Sequence, residues 1–115
     1  MSDRDSIFTV RKYIDTNYGT AVTIAELARL ACMSPSKLKY SFKAHCGKTV
    51  FAYLTETRMR SAERLLSGTD LCVAHVAERV GYQKAGAFAA AFRKCTGRLP
   101  KEARRSRQAG GRGFL

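Results

Sequence analysis

Apolar residues recur along this chain at three- and four-residue spacings from end to end, and no segment alternates with the two-residue period of a strand. Ile7, Val10, Ile14 and Tyr18 line one helical face, with Asp5 and Ser6 before it as candidate caps. Thr23 reads as an N-cap, and Glu26 completes a capping box for a helix that buries Ile24, Leu27, Ala28 and Ala31. A third helix begins at Ser34 with Pro35 in its first turn, buries Leu38 and Phe42, and stops at Gly47. The longest amphipathic stretch, 49–66, carries Val50, Tyr53, Leu54, Met59, Ala62, Leu65 and Leu66, and the SGTD run at 67–70 predicts a loop with a glycine at the helix exit. Val73, Val76, Ala77 and Val80 mark a short helix, the segment KAGAFAAAF another that closes at Gly97, and Pro100 opens a last one to about Arg105. The expected fold class is all-α, with about seven helices.

The pattern repeats. Ile24, Leu27, Ala28 and Met33 match Val73, Val76, Ala77 and Tyr82 at an offset of 49, whereas Leu38, Phe42 and Gly47 match Phe88, Phe92 and Gly97 at an offset of 50. The second copy therefore carries one extra residue in its turn. Each copy is a helix, a tight turn and a second helix, with a small residue where the helices cross closely. That is the helix-turn-helix pattern, whose second helix enters the major groove of DNA. Stacked helical hairpins of a solenoid share the motif, but two copies are too few for a stable array.

Charge sharpens the picture. The 115 residues are enough for one domain or two very small ones. Their 21 Lys and Arg against 9 Asp and Glu leave a net charge of +12. Lys37, Lys39, Lys43 and Lys48 face no acid between positions 34 and 48, and from Lys84 onward nine basic residues face Glu102 alone. Two separate basic stretches suit two contacts with a polyanion, because each neutralised phosphate releases counterions. No apolar run approaches a membrane span, and MSDRDSIF lacks the basic-then-apolar order of a signal peptide, so a cytoplasmic protein with no membrane partner is expected.

Other chemistry is thinly represented. Cys32, Cys46, Cys72 and Cys95 contain no C-x-x-C pair, and His45 and His75 show no ligand spacing with them, so no metal is expected. Cys46 and Cys95, near the ends of the second helices, are expected to be buried and inert. No Ser-His-Asp order, phosphate loop or paired carboxylates point to an enzyme, and no cofactor is expected.

The stretches LARLACMSPSKLKYSFKAHCGKTVFAYLTETRMRSAERLL at 27–66 and VAHVAERVGYQKAGAFAAAFRKCTGRLPKEAR at 73–104 resemble the DNA-binding domain of AraC/XylS bacterial transcription regulators. The matching positions are Leu27, Ala28, Met33, Ser34, Phe42, Lys43 and Gly47, then Tyr53, Leu54, Arg58, Ala62, Leu65 and Leu66. In the second copy they are Ala77, Gly81, Tyr82, Phe88, Phe92, Gly97, Pro100 and Arg104, while Ala103 departs from the usual aromatic.

The resemblance implies one DNA-binding domain over 1–105, with helix-turn-helix units at about 24–47 and 73–97 held rigidly by the 49–66 helix, and a basic, flexible tail at 106–115. Two recognition helices would then enter adjacent major grooves roughly 34 Å apart, so that a monomer reads two sites. Base-contacting positions carry over to Ser36, Lys39 and Tyr40 in the first unit, and to Ala85, Gly86, Ala87, Ala89 and Ala90 in the second. Lysine donates to guanine edges, serine and tyrosine bond base edges, and alanine reports only a thymine methyl. Lys37, Lys43, Lys48, Lys84, Arg93, Lys94 and Arg98 are expected at phosphates, which position without specifying. The first unit would thus discriminate bases while the second anchors and bends the duplex. The implied partners are double-stranded DNA and RNA polymerase, with activation implied more often than repression. Rival roles are a nonspecific architectural DNA binder, a thiol-based redox regulator and a protein-interaction helical domain.

Overall fold

Residues 2–104 are described in the computed structural model of the chain; the expected tail at 106–115 lies outside them. They form α1 (Asp3–Asn17), α2 (Ile24–Ala31), α3 (Pro35–Cys46), α4 (Val50–Gly68), α5 (Val73–Arg79) and α6 (Ala85–Thr96), followed by a helical stretch over 100–104. No strand occurs among the described residues. The fold is all-α, and the chain divides within α4 into two compact units, Met1–Thr55 and Glu56–Leu115.

In the first unit, α1 starts earlier than its apolar face suggests. Ser2 is the N-cap, its hydroxyl accepting from the Asp5 N–H at 3.2 Å. Ser6, an expected cap, is instead buried inside the helix, and Asp3 and Asp5 sit in the first turn, where carboxylates favour the positive end of the helix. Thr23 caps α2 as expected: its hydroxyl accepts from the Glu26 N–H at 3.2 Å and donates to the Glu26 carboxylate at 3.3 Å. The other oxygen of that carboxylate accepts from the Tyr13 hydroxyl at 3.4 Å, tying α1 to α2. The helices α1, α2 and α3 pack on one another around Ile7, Val10, Ile14, Leu27, Ala31, Leu38 and Phe42. Each of these side chains larger than alanine contributes about 1.5–3 kcal/mol on burial. The start of α4 closes this core with Tyr53, whose ring meets Phe42 edge-on at 5.6 Å and whose hydroxyl donates to Asp15 at 2.7 Å.

The second unit packs α5 against α6 and buries Val76, Ala77, Val80, Phe88 and Phe92, together with Met59, Ala62 and Leu66 of α4. Here α4 runs to Gly68, two residues beyond the predicted end. The Ser67 hydroxyl donates to the Glu63 carbonyl at 2.7 Å, and both the N–H and the hydroxyl of Thr69 donate to the Leu65 carbonyl, so helical bonding persists into the polar run. From the 100–104 stretch, Arg104 donates through Nε to the Leu66 carbonyl at 2.8 Å and through Nη2 to the Leu71 carbonyl. Ala103 is 1% exposed, its methyl group buried within the unit.

Candidate nucleic-acid interface

Each unit makes its turn with the same bonds. Cys32, at φ 56°, follows α2; its N–H donates to the Arg29 carbonyl at 3.1 Å, and the Met33 N–H reaches the Ala28 carbonyl at 2.9 Å. After α5, Gly81 at φ 102° donates to the Glu78 carbonyl at 3.1 Å, and Tyr82 to the Ala77 carbonyl at 2.9 Å. The first unit thus holds a cysteine in the left-handed region where the second uses glycine.

The second helix of the first unit, α3, is capped by Ser34, whose hydroxyl accepts from the Lys37 N–H at 3.2 Å, and ends at Gly47 with φ 76°. Leu38 and Phe42 are wholly buried, which fixes the helix about its axis and turns Ser36, Lys37, Lys39, Tyr40 and Lys43 to solvent. Tyr40 is 78% exposed, a large ring turned to solvent. Lys37 Nζ lies 3.5 Å from the Asp3 carboxylate, but an ion pair this exposed contributes little, so a phosphate can replace the acid at small cost. Lys48 is half-buried just beyond the helix.

In α6, Phe88 and Phe92 occupy the places of Leu38 and Phe42, with ring centroids 5.7 Å apart. Ala85, Gly86, Ala87 and Ala90 are exposed, as are Lys84, Arg93 and Lys94; Ala89 and Arg98 are half-buried. Lys84 is the N-cap and supplies no side-chain cap bond. The Thr96 hydroxyl accepts from the Arg98 N–H at 3.3 Å, shaping the turn after α6. The expected residues of each unit therefore gather on and beside its own second helix. Two supporting arginines were visible in the sequence only as resemblance positions: Arg104, described above, and Arg58, whose guanidinium lies over the Tyr82 ring at 5.6 Å.

The cysteines differ from expectation. Cys95 is exposed, as are Cys32 and Cys72, although it stands three residues after Phe92 and seven after Phe88 on the same helical face, one residue before α6 ends. Cys46 is half-buried, and that burial pushes its thiol above the usual range, partly offset by Arg11 and Lys48. All four are free, and no group of three or more His, Cys, Asp or Glu side chains among the described residues is placed to hold a metal.

Two helix-turn-helix units, each presenting a basic second helix on a buried aromatic or aliphatic footing, define a DNA-binding helix-turn-helix domain. The helix-turn-helix domain family matches residues 27–106, and the chain belongs to it as an AraC/XylS-type DNA-binding domain. Over 81 residues it is 37% identical to the arabinose operon regulatory protein of Escherichia coli (strain K12), covering 70% of this chain and 28% of that protein. The C-terminal domain of AraT, a response regulator from Geobacillus stearothermophilus, has a TM-score of 0.85 at 33% identity, covering 89% of this chain and 85% of that one. The DNA-binding domain of AdpA, a global transcriptional factor in complex with a target DNA, has a TM-score of 0.85 at 26% identity, covering 90% and 93%. The chain spans 34% or less of the first curated relatives it matches. Among the described residues, no helix is long and apolar enough to cross a membrane.

Proposed function

We infer that this chain is a sequence-specific double-stranded DNA binder that regulates transcription, placing α3 in one major groove and α6 in the next. The observation that carries this reading is the outward ridge of Ser36, Lys39 and Tyr40 on a helix whose opposite side, Leu38 and Phe42, is wholly buried. Rigid footing of that kind lets donors meet base edges without a large ordering cost. Lys37, Lys43 and Lys48 flank the ridge as phosphate contacts. In the second unit Lys84, Arg93, Lys94 and Arg98 surround a helix whose outer residues, Ala85, Gly86, Ala87, Ala89 and Ala90, admit close approach and contact thymine methyl groups. Nothing in the chain is assigned a catalytic role. By likeness to relatives named as transcriptional activators, the chain acts in the cytoplasm as an activator, binding DNA as a monomer and touching RNA polymerase.

The alanine-rich α6 favours one second reading, a nonspecific architectural binder that holds DNA through charge alone. Selection from random duplexes at near-physiological salt separates the two. The specific reading predicts a motif with one information-rich block and a weaker block about one helical turn away. Retention of DNA with no enrichment supports the architectural reading instead.

A further inference from the structure

The second helix-turn-helix unit has one residue more than the first, and the bonding identifies it. Through the turn the units align at an offset of 49: Cys32 with Gly81 and Met33 with Tyr82, each pair making the same backbone bonds. From the caps onward they align at 50: Ser34 with Lys84 as N-caps, and Gly47 with Gly97 as left-handed C-caps. The residue left over is Gln83. In the first unit Met33 runs directly into the cap, so nothing there corresponds to it.

Gln83 is exposed, and its side-chain amide has no hydrogen-bond partner among the described residues. Its backbone, by contrast, is held on both sides. Tyr82 is anchored by its N–H to Ala77 and by its ring, which meets the Arg58 guanidinium at 5.6 Å and the Phe88 ring at 5.8 Å. The Lys84 carbonyl accepts from the Phe88 N–H at 3.1 Å, opening the helix. A carboxamide without a partner therefore extends from a held backbone at the leading edge of α6, where helix-turn-helix recognition helices meet base edges. The helix behind it is low: Ala85, Gly86 and Ala87 carry at most a methyl group, and the space around a Cβ on Gly86 is open to 4 Å. A glutamine side chain reaches past such a surface.

We propose that Gln83 is the hydrogen-bonding base reader of the second unit and that its target is adenine. A carboxamide offers one donor and one acceptor side by side, which match the N7 acceptor and N6 amino donor of adenine in the major groove. The assignment rests on the reading above, in which α6 enters that groove. It also explains how a helix whose outer positions at 85–90 carry no polar side chain takes part in sequence selection: the reader stands in the turn, on the inserted residue.

The test compares the unsubstituted chain with Gln83→Ala, checked for unchanged helicity by circular dichroism. Both are taken through duplex selection and then titrated on the selected duplex, with adenine or 7-deazaadenine at the adenine of the weaker block. The proposal expects Gln83→Ala to lose preference at that one base pair while the rest of the motif persists, with affinity for the selected duplex falling about 5- to 150-fold. Removing N7 should weaken the unsubstituted chain and leave Gln83→Ala unaffected, and Gln83→Glu should move the preference toward cytosine. An unchanged motif in Gln83→Ala, or an equal loss on every duplex as a phosphate contact would give, overturns it. Absence of any motif for the unsubstituted chain sinks the sequence-specific reading itself, and this assignment with it.

Discussion

The Arg58 guanidinium lies over the Tyr82 ring, 5.6 Å from its centroid, and its carbon stands 3.0 Å from where a Cβ on Gly81 would fall. The second turn therefore admits glycine for two reasons, its φ of 102° and the arginine pressed against it. Gly81→Ala is expected to destabilise the second unit by about 1–3 kcal/mol, mainly through the backbone conformation. Arg58 is flexible and can withdraw, at the loss of a ring contact of about 0.5–1 kcal/mol. Urea unfolding measures the change. A midpoint equal to that of the unsubstituted chain would show that the turn tolerates a Cβ.

The first turn makes the opposite case. Cys32 occupies the left-handed region at φ 56° and is exposed, so it bears conformational strain without a packing role. That strain is about 1–2 kcal/mol for an L-residue. Glycine removes it but adds about 0.5–1 kcal/mol of unfolded-state entropy. Cys32→Gly should therefore stabilise the first unit by up to about 1.5 kcal/mol in the same urea assay. A net loss of stability would mean that the sulfur makes a contact that outweighs the strain.

Helix periodicity made most of the fold legible, because each buried stripe is also a spacing: Leu38 and Phe42, or Phe88 and Phe92, declare their face by standing four apart. The repeat was legible for the same reason, and its one-residue mismatch already pointed to an insertion. Helix ends were less so. Ser2 outcompeted Asp5 and Ser6 as a cap, and Ser67 and Thr69 extended α4 by bonding back to carbonyls four residues earlier. A polar residue near a helix end can stop the helix or complete its last turn, and sequence does not distinguish these. The exposure of Cys95 and the long-range clasp of Arg104 on Leu66 and Leu71 depend on which side chains meet in space. For the candidate interface, the outward positions of α3 followed from its buried ones, whereas the freedom of Gln83 followed only from the turn geometry.

The thiols should separate by burial. Cys46 is half-buried with its thiol raised above the usual range, so little of it is thiolate at neutral pH, whereas Cys32, Cys72 and Cys95 are exposed and open to reagent. Titration of the native chain with a disulfide reagent at neutral pH is expected to show three fast thiols and one slow one. The slow thiol should accelerate as the pH is raised, since deprotonation of a raised thiol comes late. Reaction of Cys46 at the rate of the rest would contradict this and would favour a redox-sensing role.

Side chains at bases and at phosphates should fail differently. Arg93→Ala is expected to weaken binding to all duplexes about equally and to lower the salt slope by about 1. Lys39→Ala should change preference at one base pair by roughly 1–3 kcal/mol, with a smaller effect on scrambled DNA. Titrations on selected and scrambled duplexes at two salt concentrations measure both. Equal losses on both duplexes for Lys39→Ala would move that residue to the phosphate group.

The central claim is sequence-selective DNA recognition, and the ratio of affinities for a selected and a scrambled duplex at about 0.15 M salt tests it most directly. The expected ratio is about a thousand or more, as specific binders reach. A ratio near one, with both duplexes bound, would contradict the claim and leave a domain that holds DNA by charge alone.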